Sequence, residues 1–478
     1  MGAAPVVRTP RWHLPSGHGV RAGRPSLAAG RTLAAACAPA EETTVHYWEL
    51  AYDRHGTLTA PAEAAFLDEL AARAVTDLFV FVHGWGTGEH RARGLYRSLF
   101  PLIEGMAPGT PGFAGILWPA LWFPDPPPEA EARVRAAMEA DRPGVADAAV
   151  SGAGIARLLV DSFEEDRHAD LTRMGELVDQ GLAGIGTDRT EVQQARLGEF
   201  HRLLATVFGT APQGAEDSGE QALLLAERPE VAYARIAGIL GSAPAGGERG
   251  VGDIFGKVWN GAKNALRIAS YFEMKGRAGD IGRRGLGPLL ERLRRRLPGV
   301  RVHLGGHSFG ARLVSFALAG IGSAAASPVA SLFLVQGAFS HYTFTPRGAT
   351  PSGSAGALHG VADRVAGPLV ATFTRHDWAL CRWYPKASFL ARDDKAARVD
   401  PALRWGALGA HGFQGAAPAR RLAVQPAGTA YRLTPRTFHS VDAGAVVADT
   451  RQSPFFGAHA DIVHAEIAWL AAAAAATG

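Results

Sequence analysis

The run Leu78-Phe79-Val80-Phe81-Val82 is apolar at every position and gives way at once to His83-Gly84-Trp85-Gly86. A strand with one wet face alternates apolar and polar residues. A strand without alternation must be covered on both faces, as inside a parallel sheet. Parallel neighbours cannot be joined by hairpins, so the chain has to supply crossover helices between strands. It does so repeatedly. Thr43 to Gly56 reads as a first strand and turn, and Ala60 to Ala74 has helical spacing. The amphipathic segment Arg91 to Gly105 follows the apolar run, and a strand opens at Phe113 that Pro119 and the later prolines terminate. Further on, Val300 to Ser308 is a strand, Gly310 to Gly320 a helix, and Ser331 to Ser340 and Gly367 to Asp377 are strands. The last strand is expected within Gly428 to Gly444, before a closing alanine-rich helix. This grammar predicts an α/β chain with a doubly wound, mostly parallel sheet.

Between the two halves the character changes. From Glu129 to about Gly276 the sequence is helical, charged and punctuated by glycine, with Gly/Ala/Pro-rich breaks at Gly209 to Gly219 and Gly241 to Gly252. The expected organisation is therefore a disordered basic arm over 1–42, a first part of the core over 43–124, a helical insertion over 125–284 and a second part of the core over 285–478. The arm carries Arg8, Arg11, Arg21, Arg24 and Arg31 with no acid before Glu41.

Gly306-His307-Ser308-Phe309-Gly310 lies between a strand and a helix. A serine lifted on a sharp turn needs small residues two positions to either side, where a Cβ would strike the flanking elements. The helix that starts there offers free N–H groups to a developing oxyanion. A serine hydroxyl also needs a base. Of seventeen histidines, His459 sits in a short loop just before the last helix, whereas His464, His439 and His411 are less well placed. The imidazole needs a carboxylate to fix its tautomer. Asp377, just past a strand end, is the candidate, with Asp442 as its rival.

The elbow, the chain order Ser308, Asp377, His459 and the segment FVFVHGWGTGEH together resemble the α/β-hydrolase superfamily over about Thr43 to Pro124 and Gly285 to Ala476. MKGRAGDIG, at the end of the insertion, is similar to segments of uncharacterised bacterial hydrolase-like proteins. The resemblance implies an oxyanion hole from the backbone amides of Trp85 and Phe309, with His83, Gly84 and His307 lining the substrate site. The chain departs from the family in carrying its large insertion before the nucleophile strand, so the resemblance names no substrate.

Composition narrows the partners. At 47% apolar the chain lies outside the regime of disorder, and a net charge of +4 with Arg interleaved among acids does not call for nucleic acid. Two cysteines, Cys37 and Cys381, form neither a disulfide framework nor a zinc pattern, so no metal or other cofactor is expected. No apolar run is long enough to span a bilayer. The expectation is a cytoplasmic serine hydrolase, with export left open, acting on a small acyl ester or lipid. The alternatives are a thioesterase, acyltransferase or peptidase using the same three residues, and a silent hydrolase-like scaffold whose insertion docks a protein partner. Trp118, Trp122 and Phe123 are candidates for an acyl pocket or for the seam between core and insertion.

Overall fold

The computed structural model describes residues 45, 47–58, 60–120, 151–208, 224–239, 251–351, 353–384, 405–452 and 456–478. The expected basic arm, Cys37, Trp122, Phe123 and most of both Gly/Ala/Pro-rich breaks lie outside them.

Eight strands form one sheet: β1 (Tyr47–Ala51), β2 (Asp77–Val82), β3 (Pro111–Leu117), β4 (Arg301–His307), β5 (Val329–Val335), β6 (Leu369–Phe373), β7 (Ala419–Ala423) and β8 (Phe438–Asp442). Their spatial order is β1-β3-β2-β4-β5-β6-β8-β7, and every pairing is parallel. The unbroken apolar strands are buried along their whole length, as their composition demands: β2 and β5 have no exposed residue. The sheet is covered on both sides. On one face lie α1 (Ala60–Ala72), α8 (Gly287–Arg296) and α9 (Phe309–Ala319), packed on Val80, Val82, Leu304 and Leu332. The other face carries α2 (Glu89–Glu104) and α10 (Ala465–Thr477), against Phe79, Phe81, Phe113 and Phe333.

The winding places the site. From β2 the chain moves outward to β3, then returns past β2 to β4 on its other side. At such a switch of direction the two connections leave the sheet on opposite faces, and a crevice opens beyond the carboxyl ends of the two strands. Those ends are His83-Gly84, after β2, and Ser308, after β4.

The region between β3 and α8 is helical throughout its described residues: α3 (Gly152–Leu159), α4 (His168–Ala183), α5 (Thr190–Phe208), α6 (Pro229–Ile239) and the thirty-residue α7 (Val251–Asp280). These helices bury an apolar cluster of their own, with Leu177, Phe200, Tyr233 and Trp259 fully enclosed. The insertion is tied to the core by the buried Arg277, which donates to the carbonyls of Pro119 and Ser162 and pairs with Glu273 at 3.2 Å. α7 passes without interruption through a π-helical turn, Ile281–Leu286, into α8. There Gly282 and Gly287 of IGRRGLG lie directly on α9, and Gly285 lies against Tyr52 and the Gly56 carbonyl. A Cβ on Gly282 would overlap the Leu313 carbonyl, and one on Gly287 would sit 2.6 Å from the Ala317 oxygen. The glycines make a close helix-to-helix approach, which is the physical reason for that stretch of sequence.

Candidate active site

Ser308 occupies the turn between β4 and α9 with φ 57° and ψ −120°, a backbone conformation that side-chain-bearing residues rarely adopt. Holding it costs about 1–3 kcal/mol, and such strain gathers at functional sites. The neighbours allow it. A Cβ on Gly306 would overlap the Gly310 carbonyl, and one on Gly310 would overlap the Val82 carbonyl. The turn is fixed further by the Ser308 N–H, which donates to Val335 O at 3.1 Å.

Three side chains from distant parts of the sequence meet here. His459 Nε2 lies 2.9 Å from Ser308 Oγ, and its Nδ1 lies 2.7 Å from Asp377 Oδ2. Asp377 is fully buried, whereas the His459 side chain keeps 16% exposure, which leaves the imidazole open to the crevice. With Nδ1–H donating to the carboxylate, Nε2 is free to accept the serine proton. The loops that carry Asp377 and His459 are stitched together. Residues 377 and 457 form an antiparallel bridge, and the Trp378 and Ala458 amides donate across it to Phe456 O and His376 O at 3.1 and 2.9 Å.

The rivals lie elsewhere. Asp442 is exposed, and its carboxylate accepts from Gly444 N within its own turn. His464 is the N-cap of α10 and binds Asp461, and the ring of His439 in β8 is bonded to Thr434. The helical turn Leu408–His411 carries His411, whose ring stands 5.2 Å from that of His341. Asp461 does not cap α10: it accepts the Ala448 and Asp449 amides and so pins the loop just beyond His459.

The residues assigned to the oxyanion and the substrate fall around the serine. A Cβ on Gly84 would stand 2.8 Å from the Ser308 Cβ, so this glycine lets the turn after β2 close over Ser308. Phe309 is the first residue of α9, where a helix leaves its N–H without an intrahelical acceptor. The ring of Trp85 packs 5.8 Å from that of Phe309. Tyr271 of α7 joins them, 5.3 Å from Phe309 and 5.9 Å from Trp85, and Tyr384 stands 6.4 Å beyond. The part-exposed rings of Trp85 and Tyr271 thus form an aromatic wall beside the serine to which the insertion contributes. Trp118 lies behind the turn, its indole N–H on His83 O at 3.0 Å.

Two histidines expected to touch substrate are turned into the structure. His83 is 1% exposed; Nδ1 meets Gly84 O at 3.0 Å and Nε2 accepts from Trp118 N at 3.4 Å. His307 donates from Nε2 to the carbonyl of His459 at 2.8 Å, with the two rings 4.8 Å apart. Both nitrogens of His83 are engaged, so it props the turn and does not reach a ligand. His307 anchors the loop that carries His459. Burial drives His83 down to about 4, and burial followed by the neighbouring His459 drives His307 down to about 3. Unfolded, each takes up its proton near 6.5. Proton uptake below that value favours the unfolded chain, so this stability is complete above pH 6.5. It is lost as pH falls toward 4 and then 3, at up to roughly 1.4 kcal/mol per pH unit for each ring. Urea unfolding followed from pH 7 to pH 5 should show this slope, and His307→Gln should reduce it by up to roughly 1.4 kcal/mol per pH unit, the share of one ring. An unchanged slope would remove the assignment.

The described residues include no group of three or more His, Cys, Asp or Glu able to hold a metal, and no helix long and apolar enough to cross a membrane. Comparison with protein-family models, with curated proteins and with solved structures finds no match to this chain.

Proposed function

We propose that the protein is a serine hydrolase of the α/β-hydrolase type that cleaves a carboxylic ester through an acyl-enzyme on Ser308. The observation that carries this reading is the unbroken line from Ser308 Oγ through His459 to the buried Asp377, at 2.9 and 2.7 Å. His459 takes the serine proton as Oγ attacks the ester carbonyl, and the Trp85 and Phe309 amides receive the charge that develops on oxygen. Asp377 stabilises the imidazolium without taking its proton. His459 then protonates the departing alcohol, and a water activated by the same base releases the acid. The ester assignment rests on analogy with chemistry common on this scaffold. A reducing cytoplasm is the compartment this reading assigns, in keeping with a sequence that holds only two cysteines, Cys37 and Cys381, without a disulfide or zinc pattern.

The test is labelling of the full-length protein with a fluorophosphonate, followed by mapping of the adduct. The reading requires a single adduct on Ser308 and turnover of p-nitrophenyl esters; an adduct elsewhere, or none, overturns it. The aromatic wall supports a bulky apolar acyl group as the preferred substrate. Tyr271→Ala should lower the ratio of kcat/KM for p-nitrophenyl octanoate over butyrate by about tenfold, because the longer chain loses contact with the ring equivalent to about one methylene, at roughly 1–3 kcal/mol. Tyr271→Phe should leave that ratio where it is. A ratio indifferent to both changes would mean that the acyl chain binds away from this wall.

A further inference from the structure

Gln336 is the residue after β5, and its backbone takes a left-handed φ of 47° without being glycine. It is fully buried. Its amide nitrogen donates to Asp377 Oδ2 at 3.1 Å, the same oxygen that accepts from His459 Nδ1, and also lies 3.3 Å from Gly409 O. Its amide oxygen accepts from the Thr372 hydroxyl at 3.0 Å, and that hydroxyl in turn accepts from the Gln336 backbone N–H at 3.2 Å. The amide orientation follows from these partners. A flipped amide would face its oxygen toward a carboxylate and a carbonyl, neither of which can donate. The other carboxylate oxygen, Oδ1, accepts from Leu380 N at 3.0 Å. Nothing in the proposed chemistry requires an uncharged amide at this place. A residue held in a strained backbone, with every atom of its amide committed, has been fixed there against a cost.

We infer that Gln336 is a positioning residue which, held by Thr372, fixes the Asp377 carboxylate and moderates its pull on the His459 proton. The inference rests on the hydrolase reading above. One N–H shared onto Oδ2 draws electron density from the oxygen that faces the imidazole. Asp377 therefore orients the ring and steadies its positive charge while leaving the proton free to pass on to the leaving group. The donor also removes the alternative in which the carboxylate rotates away from Nδ1.

The experiment follows the rate of Ser308 labelling by an alkyl fluorophosphonate against pH. In this step the Oγ–P bond forms, the P–F bond breaks, fluoride departs and the serine proton passes to His459. The rate therefore tracks the fraction of imidazole able to accept it. Gln336→Met removes the donor at similar volume, and Gln336→Glu places a second acid beside Asp377. Both should move the half-maximal pH upward, by about one pH unit. Thr372→Val, which frees the amide to turn, should move it in the same direction by less, and Thr372→Ser, which keeps the hydroxyl, should restore the wild-type curve. If every variant slows labelling by one factor at all pH values and leaves the midpoint in place, Gln336 is only packing and the inference falls. Should the Gln336 variants not fold, the contrast between valine and serine at 372 decides by the same criterion. A wild-type protein that is not labelled at Ser308 would remove the hydrolase reading together with this one. A labelled wild type whose midpoint ignores both positions would remove this one alone.

Discussion

On the function proposed above, replacing Ser308 by alanine should abolish phosphonylation and lower ester turnover by on the order of 10⁴–10⁶. The size follows from what the variant keeps. The Phe309 amide, the aromatic wall and His459 all survive, so a carbonyl can still be bound and polarised, but no atom remains to form the acyl-enzyme. Residual turnover would come from water activated by His459. The fold supplies its own control. Ser331 of β5 bonds His303 Nδ1 at 2.9 Å, and His303 Nε2 bonds Asp77 Oδ1 at 3.0 Å, a second Ser-His-Asp series. All three of its members are at most 4% exposed. Ser331→Ala should leave both labelling and turnover intact, because an order of side chains without access for a substrate is a structural device. Turnover that survives Ser308→Ala undiminished would end the proposal.

By the same proposal, Asp377→Asn should lower kcat by about 10⁴ while Asp442→Asn should leave it nearly unchanged. An asparagine at 377 can present its NH₂ to Nδ1, which stabilises the tautomer with the proton on Nε2. The base then points a hydrogen at the serine hydroxyl and cannot accept its proton. Fluorophosphonate labelling should slow in parallel. At position 442 the carboxylate bonds only Gly444 N in an exposed turn. An amide oxygen accepts that N–H as well. Steady-state kinetics of the two variants separate the assignments, and a larger loss at 442 would exchange them.

Much of this architecture is legible in the sequence because burial on both faces leaves long apolar runs in a strand. β2 and β5 could be read for that reason, β4 from its β-prone residues ahead of a glycine pair, and the elbow because glycines at 306 and 310 answer to the backbones they touch. β7 escaped notice. Its residues, Ala-Arg-Arg-Leu-Ala, are exposed or half-exposed at the edge of the sheet, so they carry none of the apolar signature. The last strand was expected within Gly428 to Gly444, and only Phe438–Asp442 is paired as one; before it the chain runs over the surface. Ser308, Asp377 and His459 could be proposed from their places at element ends. Gln336 could not, although a lone amide closing the apolar run Val329–Val335 was a usable signal. The inward turn of His83 and His307 depends on hydrogen bonds to carbonyls of Gly84 and of the distant His459 loop. No periodicity encodes such partners.

The glycine contact between the π-helical turn and α9 bears on how a substrate enters. Gly282 and Gly287 leave no slack between the end of the insertion and the helix whose first residue follows Ser308. A roof that pivoted at this joint would drag Ser308 out of line with His459 as it rose. On the function proposed above, substrate would therefore pass at the eaves, with α7 acting as a fixed beam.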